Sequence, residues 1–229
     1  MRNLPFAALL LIAAPLAAQG GGTMSMPMGH DHDAAVQGAP LPPGWQIRLD
    51  RPDASPANVR FVREGQGYHF TAGPAAILWQ PSDTVSGEYT VRGTFTQTKA
   101  PMHPEAYGLF FGGSDLAAAD QSYLYFEVRG DGQFLVKHRA GAEVHMIQDW
   151  TPNAAIVKAD ANGRATNALE ARVGPDGVHL SVNGTEVAHL PYDHTGALPG
   201  VAGLRLNHNL DVQVTGFQIV RGAGPTTHL

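Results

Sequence analysis

The sequence of 229 residues carries 15 basic and 20 acidic side chains, a formal net charge of −5, and no cysteine. Without a clustered basic face, this acidic balance excludes a typical nucleic-acid partner, because phosphate binding requires such a face. The lack of cysteine excludes disulfide bonds, metal thiolates and thiol nucleophiles, so a hydrophobic core must stabilise the fold.

The first 18 residues have the layout of a secretory signal peptide. Arg2 supplies the cation, and residues 6–14 form the apolar run. We expect cleavage after the small residue Ala18. The apolar run is shorter than the roughly 20 residues of a transmembrane helix, and no later segment is long enough. The sequence therefore predicts export to the periplasm or the extracellular space. Removing Arg2 leaves 14 basic against 20 acidic residues, a mature formal charge of −6.

Residues 19–44 are rich in Gly, Met, Pro and His and have no apolar period, which predicts a flexible N-terminal segment. Methionine thioethers suit Cu(I), and a His-x-His pair with carboxylates suits divalent copper, nickel or zinc. The candidate ligands are Met24, Met26, Met28, His30 and His32. The composition resembles the Met/His-rich segments of exported copper-handling proteins. The alternative is a polar spacer, because a short flexible tract loses entropy when it orders around a metal.

From residue 45 to residue 222, short alternating strands and Gly, Asn or Asp turns predict one β-sheet domain, followed by a tail at 223–229. Residues 123–139 predict a hairpin around the turn 130–132, and residues 169–182 a second hairpin around the turn 174–177. Further turn signals are Asn183-Gly184, a tight turn, and Gly216, a bulge in the last strand. This spacing favours an all-β fold, an antiparallel β-sandwich or jelly roll of two sheets.

Several motifs along this domain carry a family resemblance. They are YGLFFGG at 107–113, YLYF at 123–126, GQFL at 132–135, Trp150, NAL at 167–169, VNG at 182–184 and GVAGL at 200–204. With them the chain resembles the concanavalin A-like lectin/glucanase superfamily, and within it laminin-G-like domains and bacterial 3-keto-disaccharide hydrolases. The resemblance implies a sandwich over most of residues 45–220. It leaves the chemistry open, because one fold hosts many functions.

The solvent-facing register of the first hairpin is the candidate ligand-binding face. Aromatic rings stack on the apolar face of a sugar, and charged groups hydrogen-bond its hydroxyls. The candidate residues are Tyr123, Tyr125, Glu127, Arg129 and Lys137, together with His103 in the loop that precedes residue 107. The alternative is an ordinary solvated sheet, since scattered surface aromatics need no explanation.

Catalysis has weaker support in the sequence. Glucanases of the resembled superfamily place carboxylates alternately along one strand, whereas residues 123–129 offer Glu127 alone. We expect Glu127 to pair across the hairpin with Lys137 or a neighbouring cation. The candidates for a second catalytic group are Asp115 and His103. Asp115 also ends a Gly-rich loop that could ligate calcium, although one carboxylate is too few for a site.

These observations favour a secreted, non-catalytic domain that binds a glycan or another cell-surface ligand. One alternative is an exported glycoside-acting enzyme similar to the 3-keto-disaccharide hydrolases. Another is an exported protein that binds copper or another metal through its Met/His tail. His179 and His189 fall on solvent-facing registers of neighbouring strands, and the sequence assigns them no role.

Overall fold

The structure is a computed structural model that describes residues 32–195 and 197–222. The predicted signal peptide at 1–18, the tail at 223–229 and four of the candidate metal ligands lie outside the described residues. Those ligands are Met24, Met26, Met28 and His30. Within the described residues, no helix has the length and apolar character needed to cross a bilayer.

In the described part of the chain, fourteen strands form two antiparallel sheets of seven strands each. The first sheet has the order β1 (Gln46–Leu49), β4 (Ala76–Val85), β13 (Gly200–Leu206), β6 (Ala106–Ser114), β7 (Ser122–Arg129), β8 (Gln133–Ala140) and β9 (Glu143–Pro152). The second has the order β12 (Thr185–Pro191), β11 (Gly177–Val182), β10 (Ala165–Gly174), β5 (Tyr89–Gln97), β14 (Leu210–Arg221), β3 (Gly67–Ala72) and β2 (Val59–Glu64). A 3₁₀ turn at Pro56–Asn58 and a short helix α1 at Tyr192–Thr195 complete the described elements. The two sheets pack as a sandwich, which confirms the predicted fold class.

The strand registers follow from the period-two pattern of apolar residues. In the first hairpin Phe126 pairs with Val136, and in the second Ala171 pairs with Leu180. Both pairings match the prediction, and these four residues are buried in the core between the sheets. The bulge is also confirmed: Gly216 has a φ of 61°, and the pairing of β14 with β5 shifts there.

Part of the segment predicted to be flexible makes ordered contacts with the sandwich. The backbone N–H of Gly38 donates to the carbonyl of Ala57 at 2.8 Å, and the N–H of Ala34 donates to the Asn209 side chain at 2.7 Å. Leu41 packs against the core. Residues 34–41 therefore contact the domain ahead of the first strand.

Candidate functional site

One row of residues across the first sheet assembles a charged group on its outer face. Arg205 on β13 pairs with Gly108 on β6, and Gly108 pairs with Glu127 on β7. Neighbouring strands lie about 4.8 Å apart, so the backbones of the two charged residues lie about 10 Å apart, on either side of β6. Gly108 has no side chain, so it leaves the space between them open to the long Arg205 side chain.

Arg205 bridges two carboxylates. Its Nη1 donates to Asp50 Oδ1 at 2.5 Å and its Nη2 donates to Asp50 Oδ2 at 2.8 Å, a two-point pair. Its Nε lies 3.5 Å from Glu127 Oε1, within ion-pair range but with no hydrogen bond formed. Asp50 follows the last residue of β1, so the group joins strands from both ends of the chain. We call these three residues the Arg205 cluster.

Burial distinguishes this cluster from an ordinary surface ion pair. Glu127 is 1% exposed and Arg205 is 5% exposed, whereas the Asp50 side chain is 27% exposed. The guanidinium also lies 5.1 Å from the centre of the Tyr125 ring, and the Tyr125 ring lies 5.7 Å from that of Tyr123. Two of the predicted sugar-binding residues, Tyr123 and Tyr125, therefore lie beside a buried cation.

The pKa values of the two carboxyl groups in the cluster shift in opposite directions. Burial raises the pKa of Glu127 to about 7, although the charge of Arg205 opposes the shift. Burial acts in the same sense on Asp50, but the charge and hydrogen bonds of Arg205 outweigh it and hold the pKa of Asp50 below its usual value. Near neutral pH, Asp50 is ionised and Glu127 is close to its titration midpoint.

Glu127→Gln should therefore change how stability depends on pH. An unfolded Glu127 titrates near 4.5 and the folded one near 7, so the wild-type protein loses stability as pH rises between these values. Glutamine does not titrate, and the variant should gain on the order of 2 to 3 kcal/mol relative to wild type between pH 4.5 and pH 8. Urea unfolding of both proteins at pH 5 and pH 8 measures this gain. An equal difference at the two pH values would contradict the shifted pKa.

The structure corrects the predicted exposure of this face. Residue alternation predicts that Tyr123, Tyr125 and Glu127 face solvent, yet all three are buried. The reason is a second apolar cluster on the outer face of the first sheet, separate from the core. Its members are Ile77, Trp79, Phe110, Leu116, Tyr123, Tyr125 and Leu135. The loop 115–121 contributes Leu116 to it and is held by Arg48, which donates to the carbonyls of Leu116 and Ala118.

Two clefts open beside this loop. The larger has a volume of about 610 Å³ and is lined by Asp50, Gln121, Arg139 and neighbouring residues. We call it the Asp50 cleft. The smaller, of about 450 Å³, lies on the Trp79 side of the loop and includes Asp115. Asp50 thus connects the buried cluster to an open cleft, whereas Glu127 lines neither cleft.

The other predicted site residues are more dispersed. Lys137 pairs in register with Tyr125, and the ion-pair partner of Glu127 is Arg205. Arg129 lies over the Trp150 ring at 4.0 Å and pairs with Asp131 at 2.8 Å.

The rim candidates stand apart from the cluster. His103 and Asp115 are both exposed in loops, and no described hydrogen bond or ion pair joins either to Glu127. Of the predicted metal ligands, His32 alone is described, and its backbone carbonyl accepts a hydrogen bond from Asn209 at 3.2 Å. The structure thus brings together Tyr123, Tyr125 and Glu127. His103, Asp115 and His32 lie apart from that group.

Sequence reasoning missed Asp50 and Arg205. The sequence around Arg205 does contain one sign of a buried charge. Arg205 lies between the core residues Leu204 and Leu206, and the neighbouring outward-facing positions of the strand, such as Gly203, are small or apolar. A charged side chain in such surroundings is buried only when it is paired. The sequence does not show that its partners are Asp50 and Glu127.

The comparisons with known proteins agree on the fold. No protein-family model matches the chain, and no curated protein matches its sequence. Among solved structures, the carbohydrate-binding module CBM66 from Bacillus subtilis aligns with a TM-score of 0.57 at 13% identity, over 77% of this chain and 95% of that one. A Bacillus subtilis protein of unknown function with a galectin-like fold aligns with a TM-score of 0.56 at 14% identity, over 78% and 90%. A family 7 alginate lyase, A1-II', aligns with a TM-score of 0.52 at 12% identity, over 78% and 95%. These likenesses show that the chain has a jelly-roll β-sandwich fold, as the sequence predicts.

Proposed function

We propose that this chain is an exported glycan-binding protein that holds its ligand in the Asp50 cleft and along the adjoining outer face of the first sheet. Export is inferred from the predicted signal peptide at residues 1–18. The volume of about 610 Å³ falls within the range of about 300–1,000 Å³ typical of small-molecule sites. The carboxylate of Asp50 and the guanidinium of Arg139 offer an acceptor and donors for sugar hydroxyls. The fold shared with a carbohydrate-binding module supports the same assignment.

The observation that carries the proposal is the state of Gln121. This side chain lines the Asp50 cleft, is 3% exposed, and its Oε1 has no hydrogen-bond partner among the described residues. A buried acceptor without a partner costs about 1–3 kcal/mol of stability. A sugar hydroxyl in the cleft that donates to Oε1 would remove that cost.

Gln121→Met tests this directly. Met has a similar length and lacks the polar amide, so the variant should unfold at the same temperature as wild type or a higher one. Its affinity for the bound glycan should fall about 10-fold, the equivalent of one lost hydrogen bond. The measurement is retention on a panel of polysaccharides and oligosaccharides, with and without EDTA, followed by titration of the best ligand.

Arg60→Ala is the matched control, because Arg60 is exposed on β2 at the edge of the other sheet. It should leave retention unchanged. Equal retention by Gln121→Met and wild type would remove the Asp50 cleft from consideration. Retention lost only in EDTA would add a cation, such as calcium, to the binding site.

A glycoside-acting enzyme is the second candidate, and one observation favours it. Environments that push the pKa values of two carboxyl groups apart are typical of an acid–base pair, and Glu127 and Asp50 show this divergence. The acid would be Glu127, and the second catalytic group would be Asp50 in place of Asp115 or His103. Against catalysis, Glu127 lines neither cleft and is almost fully buried.

The same panel separates the two functions when its products are assayed. Binding alone leaves every sugar intact. New reducing ends or keto-sugars that disappear with Glu127→Gln would establish the enzyme and overturn the non-catalytic assignment. Products that persist in that variant would exclude Glu127 as the acid.

A further inference from the structure

A group of histidines and carboxylates lies on the outer face of the second sheet, at the β10–β11 turn and the edge strand β12. His179 on β11 and His189 on β12 are register partners, and their rings stack at 4.3 Å with an angle of 13° between them. Asp176 lies in the turn just before β11. These three residues are the only group of three or more His, Cys, Asp or Glu residues, within the described part of the chain, that could hold a metal ion.

We propose that Asp176, His179 and His189 form a binding site for a divalent transition metal, with zinc as the probe ion. Two imidazoles and one carboxylate are ligands that zinc, copper and nickel accept, whereas calcium prefers oxygen ligands alone. The site is independent of the Asp50 cleft, because it lies on the other sheet. It is also distinct from the predicted metal ligands of the N-terminal segment.

The distances suit a single ion. His179 Nε2 lies 3.1 Å from Asp176 Oδ1, and His189 Nε2 lies 3.8 Å from Asp176 Oδ2. The three ligand atoms lie within 4.8 Å of one another. Zinc bonds of about 2.0–2.2 Å place tetrahedral ligand atoms about 3.3–3.6 Å apart, so small side-chain rotations would close the site. Three protein ligands would leave one coordination position to water.

A second carboxylate already orients one of the ligands. Glu186 Oε2 lies 2.9 Å from Nδ1 of His179, while Nε2 of the same ring is turned toward Asp176. A metal-binding histidine commonly donates its other ring N–H to a carboxylate, which fixes the tautomer and the ring orientation. Glu186 therefore has the position of a residue that supports a metal ligand.

The surrounding charge permits a cation. The carboxylates of Asp176 and Glu186 contact His179, and Arg172 is its register partner on β10. Two negative groups against one positive group leave a net negative charge for a divalent ion to neutralise. The ion would join the 174–177 turn and β11 to β12, an edge strand held by one neighbour alone.

Zinc titration of the mature full-length chain tests the site. Because the N-terminal segment could also bind zinc, the parent protein carries His30→Ala and His32→Ala. Calorimetry should give one zinc per chain, and zinc should raise the melting temperature. In this parent, His189→Ala and Asp176→Asn should each weaken zinc binding at least 10-fold, and Glu186→Gln about 10-fold. His145→Ala is the control, because His145 is an exposed histidine beside a single carboxylate, Glu143.

The outcomes are distinguishable. Loss of zinc binding in His189→Ala and Asp176→Asn, with an unchanged metal-free melting temperature and normal binding by His145→Ala, supports the site. One-to-one binding that survives both substitutions overturns it. Zinc binding that is already absent from the parent lacking His30 and His32 also overturns it and assigns the metal to the N-terminal segment.

Discussion

Replacing Arg205 with Met is expected to lower the free energy of unfolding by about 3–5 kcal/mol, the cost of breaking a buried ion pair by removing one partner. Met fills much of the same volume, so the loss is mainly electrostatic. Glu127 is almost fully buried and would lose its cation, and Asp50 would lose two hydrogen bonds. The pKa of Glu127 should rise further, and the destabilisation should grow as pH increases above 7. Urea unfolding at pH 6 and pH 9 measures both effects.

Arg92→Met is the matched control for this substitution. Arg92 lies on the second sheet, its side chain is 48% exposed, and it pairs with Glu170 at 3.8 Å. Exposed pairs of this kind contribute about 1 kcal/mol or less. The double variant Arg205→Met/Glu127→Gln should recover part of the lost stability, because it removes the uncompensated charge. A loss below about 1 kcal/mol in Arg205→Met would show that the cluster does not stabilise the fold.

The fold was predictable from the sequence because its information is local. Alternation in residues 123–139 and 169–182 identified the strands, and turn residues such as Asn183-Gly184 identified their connections. Once the turns are known, period-two patterning fixes which residues face the core. The pairings of Phe126 with Val136 and Ala171 with Leu180 follow directly.

The Arg205 cluster was not predictable by the same means. Arg205 reaches Glu127 across β6, because β13 and β7 both pair with β6, and β13 is far from the other two strands in the chain. Asp50 reaches Arg205 across a separation of 155 residues. Alternation also assigns a residue to a face without showing what covers that face. Tyr123 and Tyr125 were therefore predicted to be solvated, although the apolar cluster with Leu116 buries them.

Gly108 shows how close the strands of this site approach one another. A Cβ atom at position 108 would lie 2.0 Å from the Phe126 carbonyl oxygen and 2.8 Å from the Glu127 Cα. Both atoms belong to the β7 backbone, which cannot rotate away as a flexible side chain does. Glycine at this position therefore permits the pairing of β6 with β7, as well as the passage of Arg205 toward Glu127.

Gly108→Ala should consequently lower the free energy of unfolding by about 3 kcal/mol or more, at the upper end of overpacking effects. It should also separate β6 from β7 and expose Glu127. The free energy of unfolding should then depend less on pH than it does in the wild-type protein. Gly65→Ala is the control, because Gly65 has a φ of 56° and nothing within 4 Å of an added Cβ.

That control carries the conformational cost of a left-handed residue alone, about 1–2 kcal/mol. Urea unfolding of the two variants beside wild type measures the difference between them. If Gly108→Ala costs no more than Gly65→Ala, the strands can separate without loss, and close approach is not what requires glycine at position 108. A clearly larger cost would show that the close approach of β6 and β7 requires glycine at position 108.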